Sequence, residues 1–307
     1  MKQYVQTSGA IGSESYTPPL SHRIANINKL KWILLIVPLL YVILIMGISV
    51  LNLFKKSIII DNHFSMEYIT MVLTEPVYLK VLFLTFKTGL IVTLSTLILA
   101  YPVAFLSVRT KSKLVKSLIT SGVLVPFWIS MLVRIFAWQI ILQDQGIINK
   151  ILMNLNIISE PIPLVYNTVA VVISMTHILF PYMFLSLQSV MEGINPNLIS
   201  AAQSMGAKPW KSFCSVFLPL SVSGILSGSL IVFVLSIGFY IAPALLGGSS
   251  DMMMSNMIQT NIGTTLNWNL AAALSVELFV VTIILMGIAY IIAGKTLFAN
   301  KLKKGGI

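Results

Sequence analysis

Long apolar runs separated by short polar stretches set the pattern of this chain. They fall near residues 32–54, 81–108, 118–142, 165–190, 220–246 and 270–294. Each is long enough to cross ~30 Å of hydrocarbon, which takes about 20 helical residues. Backbone polar groups in such a medium must be satisfied within the protein, so the runs predict helices. The expected architecture is all-α: a polytopic membrane domain over 32–294 with six transmembrane helices, between a polar tail at 1–31 and a basic tail at 295–307. No apolar signal-peptide core precedes Trp32, so the first run reads as an uncleaved anchor. Pro38, Pro102, Pro126 and Pro181 fall within or near the ends of spans, where they predict bent helices.

The longest internal polar break, 191–219, carries its own helix signals. Asn195-Pro196 reads as an N-cap followed by proline at the first helical position, and Gly206 as the left-handed residue that ends the helix. Lys208-Pro209 opens a second segment, with Trp210, Phe213, Val216 and Phe217 on one apolar face. Pro219 marks the start of the next span. The break therefore predicts a helix–turn–helix elbow lying at a membrane surface, where a partner docks.

Composition confirms the medium. The 307 residues are 57% hydrophobic and only 9% charged, against about 25% charged in soluble domains. The net charge of +11 does not point to nucleic acid, because the basic residues cluster beside apolar runs. Lys2, Arg23, Lys29 and Lys31 flank the first run; Arg109, Lys111, Lys113 and Lys116 lie in the second break; Lys208 and Lys211 lie in the elbow; Lys295, Lys301, Lys303 and Lys304 end the chain. Positive residues mark cytoplasmic loops, which predicts both termini and the elbow in the cytoplasm. The alternate loops carry Glu67, Glu75, Asp144 and Asp251, expected as solvated charges. The single cysteine, Cys214, leaves no internal disulfide or cysteine metal cluster.

The spacing within the elbow matches a known signature. Ser200-Ala201-Ala202, then Gly206, then Val216-Phe217-Leu218-Pro219 resembles the EAA loop of ATP-binding-cassette importer permeases, whose pattern is Glu-Ala-Ala, a glycine at this distance and Ile-x-Leu-Pro. Ser200 replaces the glutamate and Val216 the isoleucine, so the charge the family presents to its partner is missing. Leu132 to Trp138, Gly146 to Asn149, Pro163 to Asn167, Gly238 to Gly248, Asn256 to Ile258 and Trp268-Asn269 are similar to the spermidine/putrescine branch, which also includes carriers of opines and aminoalkylphosphonates. The resemblance implies a type I importer permease (MetI-like) fold in the bacterial inner (cytoplasmic) membrane. It implies coupling through Asn195, Pro196, Ser200, Ala201, Ala202, Gly206, Leu218 and Pro219. The implied partners are two ATPase subunits that use ATP and Mg, a second homologous permease or a second copy of this chain, and an extracytoplasmic binding protein. No cofactor is expected on this chain itself.

Four Lys, Arg, His or Glu side chains sit inside spans: Lys87, Arg134, His177 and Glu277. Lys87 and Arg134 read as snorkelling to span ends, and His177 as a packed, hydrogen-bonded residue. Glu277 has no lysine or arginine within helical reach. It is protonated, paired with another helix, or exposed in a translocation path. In the last case Tyr240, Trp268 and Trp138 are candidate cation–π partners for an ammonium cargo. No metal-ligand spacing, nucleophile elbow or Walker phosphate loop occurs in the sequence, so an enzyme is disfavoured and any ATP hydrolysis falls to another chain. The alternative is a carrier or channel for small organic cations that works without an ATPase, a reading that leaves the elbow without a purpose.

Overall fold

The computed structural model describes residues 20–60 and 63–304, with side chains from 34 to 60 and from 63 to 291. The expected tail at 1–31 lies largely outside the described residues. So do the side chains of the basic residues at both termini. Two units are distinguished, Met1–Asn52 and Leu53–Ile307.

The first unit consists, where described, of one helix. This helix, α1 (Leu20–Ile58), continues into the second unit. Its described part begins twelve residues before the expected Trp32.

The second unit continues with a two-residue hairpin, β1 (Ile59–Ile60) antiparallel to β2 (His63–Phe64), and a short helix α2 (Glu67–Thr74). The long helix α3 (Pro76–Arg109) follows, with proline in its first turn, where a missing N–H costs nothing. Next come α4 (Lys113–Leu124), a 3₁₀ turn (Val125–Trp128), α5 (Met131–Leu142) and α6 (Ile147–Asn154). The helix α7 (Thr168–Glu192) leads into α8 (Asn197–Ser204) and α9 (Pro209–Ser212). A π turn (Phe213–Phe217) joins α9 to α10 (Leu218–Ile237), and α11 (Ile241–Leu246), a 3₁₀ turn (Ser249–Asp251), α12 (Met254–Gly263) and α13 (Trp268–Lys304) complete the chain.

Five helices among the described residues are long and apolar enough to cross a membrane, or six if one bent pair counts as a single span. That pair corrects the expected span at 118–142, which Pro126 was expected to bend but which is broken into two helices. Lys113–Trp128 and Met131–Asn154 meet at 100°. Pro126 removes an amide at the joint, and Ile129 and Ser130 are extended, so the helical ladder stops and restarts. A window of apolar residues cannot register such a break. The expected span at 220–246 is also corrected: it ends at Ile237, and α11 is a separate element.

Small and hydroxylic residues face inward along α3, against the larger apolar residues of α7. On α3 the buried positions include Thr85, Thr88, Gly89, Thr93, Thr96, Ala100, Ala104 and Ser107, while Leu90, Leu94, Ile98 and Leu99 are exposed. Lipid tails are as apolar as leucine, so burial of leucine gives no net gain here, and close backbone approach through small residues decides the packing. Thr93 and Thr96 satisfy their hydroxyls on the carbonyls four residues back, at 2.7 and 2.6 Å. Gly224 and Gly228, one turn apart on α10, carry the same logic against α7. A Cβ at Gly224 would lie 3.0 Å from Val190 Cβ, and one at Gly228 would lie 2.7 Å from Met183 Sδ. The principal core holds Ile135, Met175, Met183, Phe184, Leu187, Phe217 and Val232; a smaller cluster gathers Val72, Met254, Leu270 and Leu274.

The connections at the end of α7 opposite the elbow are ordered by side-chain clasps. Asn149, fully buried, donates to the carbonyls of Gln143 (3.3 Å) and Ile162 (2.9 Å) and accepts from the Ile162 amide (3.0 Å). It fastens α6 to the extended strap that follows. Asp251 is not the solvated charge expected: it is buried, accepting from the Thr168 hydroxyl at the start of α7 and from the Gly248 amide at 3.1 Å. A carboxylate at that helix N-terminus also meets the positive end of the helix dipole.

Candidate functional site at the elbow

The elbow starts where α7 ends. The side-chain oxygen of Asn195 accepts the Asn197 amide at 2.9 Å, and its carbonyl accepts the Leu198 amide at 3.2 Å. The first helix thus begins one residue later than the expected proline position: Pro196 takes the cap, and Asn195 closes the turn before it by accepting the Asn197 amide. Only Ile199 of α8 is buried. Ser200 and Ala201 are exposed and Ala202 is half-buried, so the Ser-Ala-Ala triplet faces largely outward.

Gly206 closes α8 with φ +84°. Its amide donates to Gln203 O at 2.9 Å, and the Ala207 amide donates to Ala202 O at 3.1 Å. This paired return satisfies the last carbonyls of the helix and requires the left-handed conformation that glycine adopts without strain.

The second half departs from the expected pattern of a separate surface helix ending at Pro219. From Pro209 to Ile237 the chain runs as one apolar helical stretch of 29 residues, widened by the π turn. Pro219 does not interrupt it, because it falls in the first turn after the widened segment. The reason for the wide turn is visible in the aromatic packing. Trp210 stacks on Phe213 at 5.6 Å between ring centres, and Phe213 on Phe217 at 5.9 Å. Phe105 of α3 meets Phe213 edge-on at 5.3 Å and Phe217 at 4.9 Å, and Tyr101 meets Phe213 at 6.1 Å. The stack runs from Trp210, 74% exposed, to Phe217, 1% exposed. Each such contact contributes about 0.5–1.5 kcal/mol beyond area burial. The elbow is therefore fixed to α3 along one side, while Leu198, Met205 and Trp210 stand exposed on the other elements of the turn.

The transport-path candidates are placed separately. Of Glu277, Tyr240, Trp268 and Trp138, only Trp138 lines the cavity of about 350 Å³ between α3, α5 and α7, together with Thr176, His177 and Phe180. Trp138 Nε1 donates to His177 Nδ1 at 3.2 Å, which leaves the His177 proton on Nε2. His177 is thus hydrogen-bonded and packed, as expected. Arg134 is half-buried, with Nε and Nη1 buried and without partners, and Lys87 is exposed. Trp268 carries Lys56 Nζ over its ring at 5.0 Å. The Tyr240 carbonyl accepts from Asn256 Nδ2 at 3.1 Å, with the ring partly exposed. Glu277 is buried, and neither carboxylate oxygen has a hydrogen-bond partner. Among the described residues no group of three or more His, Cys, Asp or Glu side chains has the geometry of a metal site.

Long lipid-compatible helices with one ordered elbow define a polytopic membrane protein. The chain belongs to the binding-protein-dependent transport system inner membrane component family, whose model matches residues 33–298. It is 32% identical over 209 residues to the spermidine/putrescine transport system permease protein PotB of Escherichia coli (strain K12), covering 68% of this chain and 76% of that protein. To the protein of the same name from Haemophilus influenzae it is 30% identical over 239 residues, covering 78% and 81%. Its fold is similar to that of a chain from a bacterial ABC transporter involved in the import of the acidic polysaccharide alginate. That likeness has a TM-score of 0.73 at 14% identity and covers 90% of this chain and 99% of that one. The chain is thus an ABC importer permease, a multi-pass component of the inner membrane.

Proposed function

We propose that this chain is the permease subunit of an ATP-driven importer that receives a small nitrogenous solute, a polyamine or a related opine or aminoalkylphosphonate, from a binding protein and moves it inward by alternating access. The observation that carries this reading is the elbow: a capped helix with exposed apolar side chains, fixed to α3 by an aromatic stack, and therefore able to pass a push into the helices. The push comes from two ATPase subunits in the cytoplasm, on the side where the basic residues cluster. Alternating access around a midplane site needs a second half, supplied by a homologous permease or a second copy of this chain.

The likeness to permeases named for spermidine and putrescine supports an amine cargo. Glu277 supports it as well, since a buried carboxylate without a partner offsets the cost of taking an ammonium out of water. One carboxylate does not balance a multiply charged polyamine, so the remaining negative charge comes from the partner permease or the binding protein. The test is uptake by vesicles holding the full complex, with putrescine and spermidine as competitors against a neutral and an anionic control. Competition by the amines alone, dependent on ATP, is expected; uptake that persists without the ATPase subunits returns the chain to the class of independent carriers.

A further inference from the structure

A second polar device lies one turn before the elbow. Gln188, buried in the last part of α7, has a side-chain amide with two N–H donors, and both are used. One donates to Ser107 Oγ on α3 at 3.1 Å, the other to Thr120 Oγ1 on α4 at 3.3 Å. One turn further, Glu192 pairs with Lys116 at 2.8 Å, the one ion pair found among the described residues. Gln188 and Glu192 are four apart on α7, and Lys116 and Thr120 are four apart on α4. Residues at that spacing share a helix face, so the two contacts are successive rungs between antiparallel helices. An ion pair this open to solvent adds little stability; its placement, at the last residue before the elbow, is what matters.

We propose that Gln188 and Glu192 are positioning residues that make α4 move with the elbow through Thr120 and Lys116. α4 is the first arm of the broken span, and the joint at 125–130 turns by 100° before α5 begins. Displacement of the end of α7 therefore reaches α5, with Arg134 and Trp138, through a hinge already present. This inference rests on the elbow reading and adds a route to it.

The test compares variants in the assembled transporter, measuring solute taken up per ATP hydrolysed. Gln188→Met has similar length and no donors. It should lower that ratio at least about fivefold, the effect of losing two hydrogen bonds at the low end of their net worth, with ATP hydrolysis little changed. Lys116→Glu and Glu192→Lys should each lower the ratio, and the double reversal K116E/E192K should restore it; these half-exposed positions decide the matter if Gln188→Met fails to assemble. A merely structural role would reduce uptake and hydrolysis together and overturn the proposal. Gly206→Val runs alongside. If it transports normally, the elbow reading fails and takes the route with it. If it is uncoupled while the Gln188 and ion-pair variants keep the normal ratio, the route alone is overturned.

Discussion

Replacing Gly206 isolates backbone conformation from packing. No atom lies within 4 Å of the position that a Cβ would occupy there, while φ is +84°. A substitution meets no neighbour and feels only the left-handed backbone, which costs a residue with a Cβ roughly 1–2 kcal/mol. A free-energy change of that size shifts a two-state ratio by about 5–30-fold, here away from the capped elbow and toward a straightened one. Asparagine enters the left-handed region more readily than other side-chain-bearing residues, and β-branched valine does so least readily. The expected order of uptake is therefore Gly206 near Gly206→Asn, then Gly206→Ala, then Gly206→Val. Uptake and ATP hydrolysis are measured together in vesicles holding the full complex, with protease protection as the check on topology. Val should lose most of its uptake and keep its spans and its hydrolysis. Equal uptake by the Asn and Val variants would refute the reasoning, because the two residues differ most in how readily they enter the left-handed region, the one property on which the cap is held to depend.

Other outcomes follow from the packing and the buried charges. Gly224→Ala should destabilise the helix pair by ~1–3 kcal/mol, since the new Cβ meets Ser186 O at 3.2 Å as well as Val190 Cβ; Gly228→Ala should cost less, because Met183 can swing its sulfur away, and thermal unfolding in detergent gives the order. Asp251→Ala should lower stability by about 1–3 kcal/mol for each donor left unpaired, at Thr168 and Gly248, with Asp251→Asn milder in the same assay. Glu277→Gln should weaken amine uptake while leaving topology intact; unchanged transport of putrescine and spermidine would make Glu277 a structural residue.

Much of the elbow was legible in the sequence because its first half is local chemistry. Asn195 and Gly206 need only their own neighbours to start and stop a helix. The second half was not, since in the π turn Phe213 and Phe217 pack against Tyr101 and Phe105, more than a hundred positions away. The break at 125–130 hid inside an unbroken apolar run in which Pro126 was the sole signal. Asp251 looked like a loop charge because its partner, Thr168, is set by tertiary structure. Gly224-x-x-x-Gly228 was a readable signal for close helix approach on α10, though its partner, α7, is set by tertiary structure. The Gln188 clasp carried no such signal: a glutamine in a span declares a need for partners without naming them.

The central claim, that a partner ATPase pushes on the elbow, is tested most directly by site-specific photocrosslinking in the assembled complex. A photoreactive residue is placed at Met205 or Trp210, both highly exposed at the elbow, and as a control at Leu155, exposed beyond the other end of α7, a helix of 25 residues and so about 37 Å long. The account predicts adducts to the ATPase subunit from positions 205 and 210 and none from 155. Absence of an ATPase adduct at both elbow positions, or its appearance at 155, would contradict it.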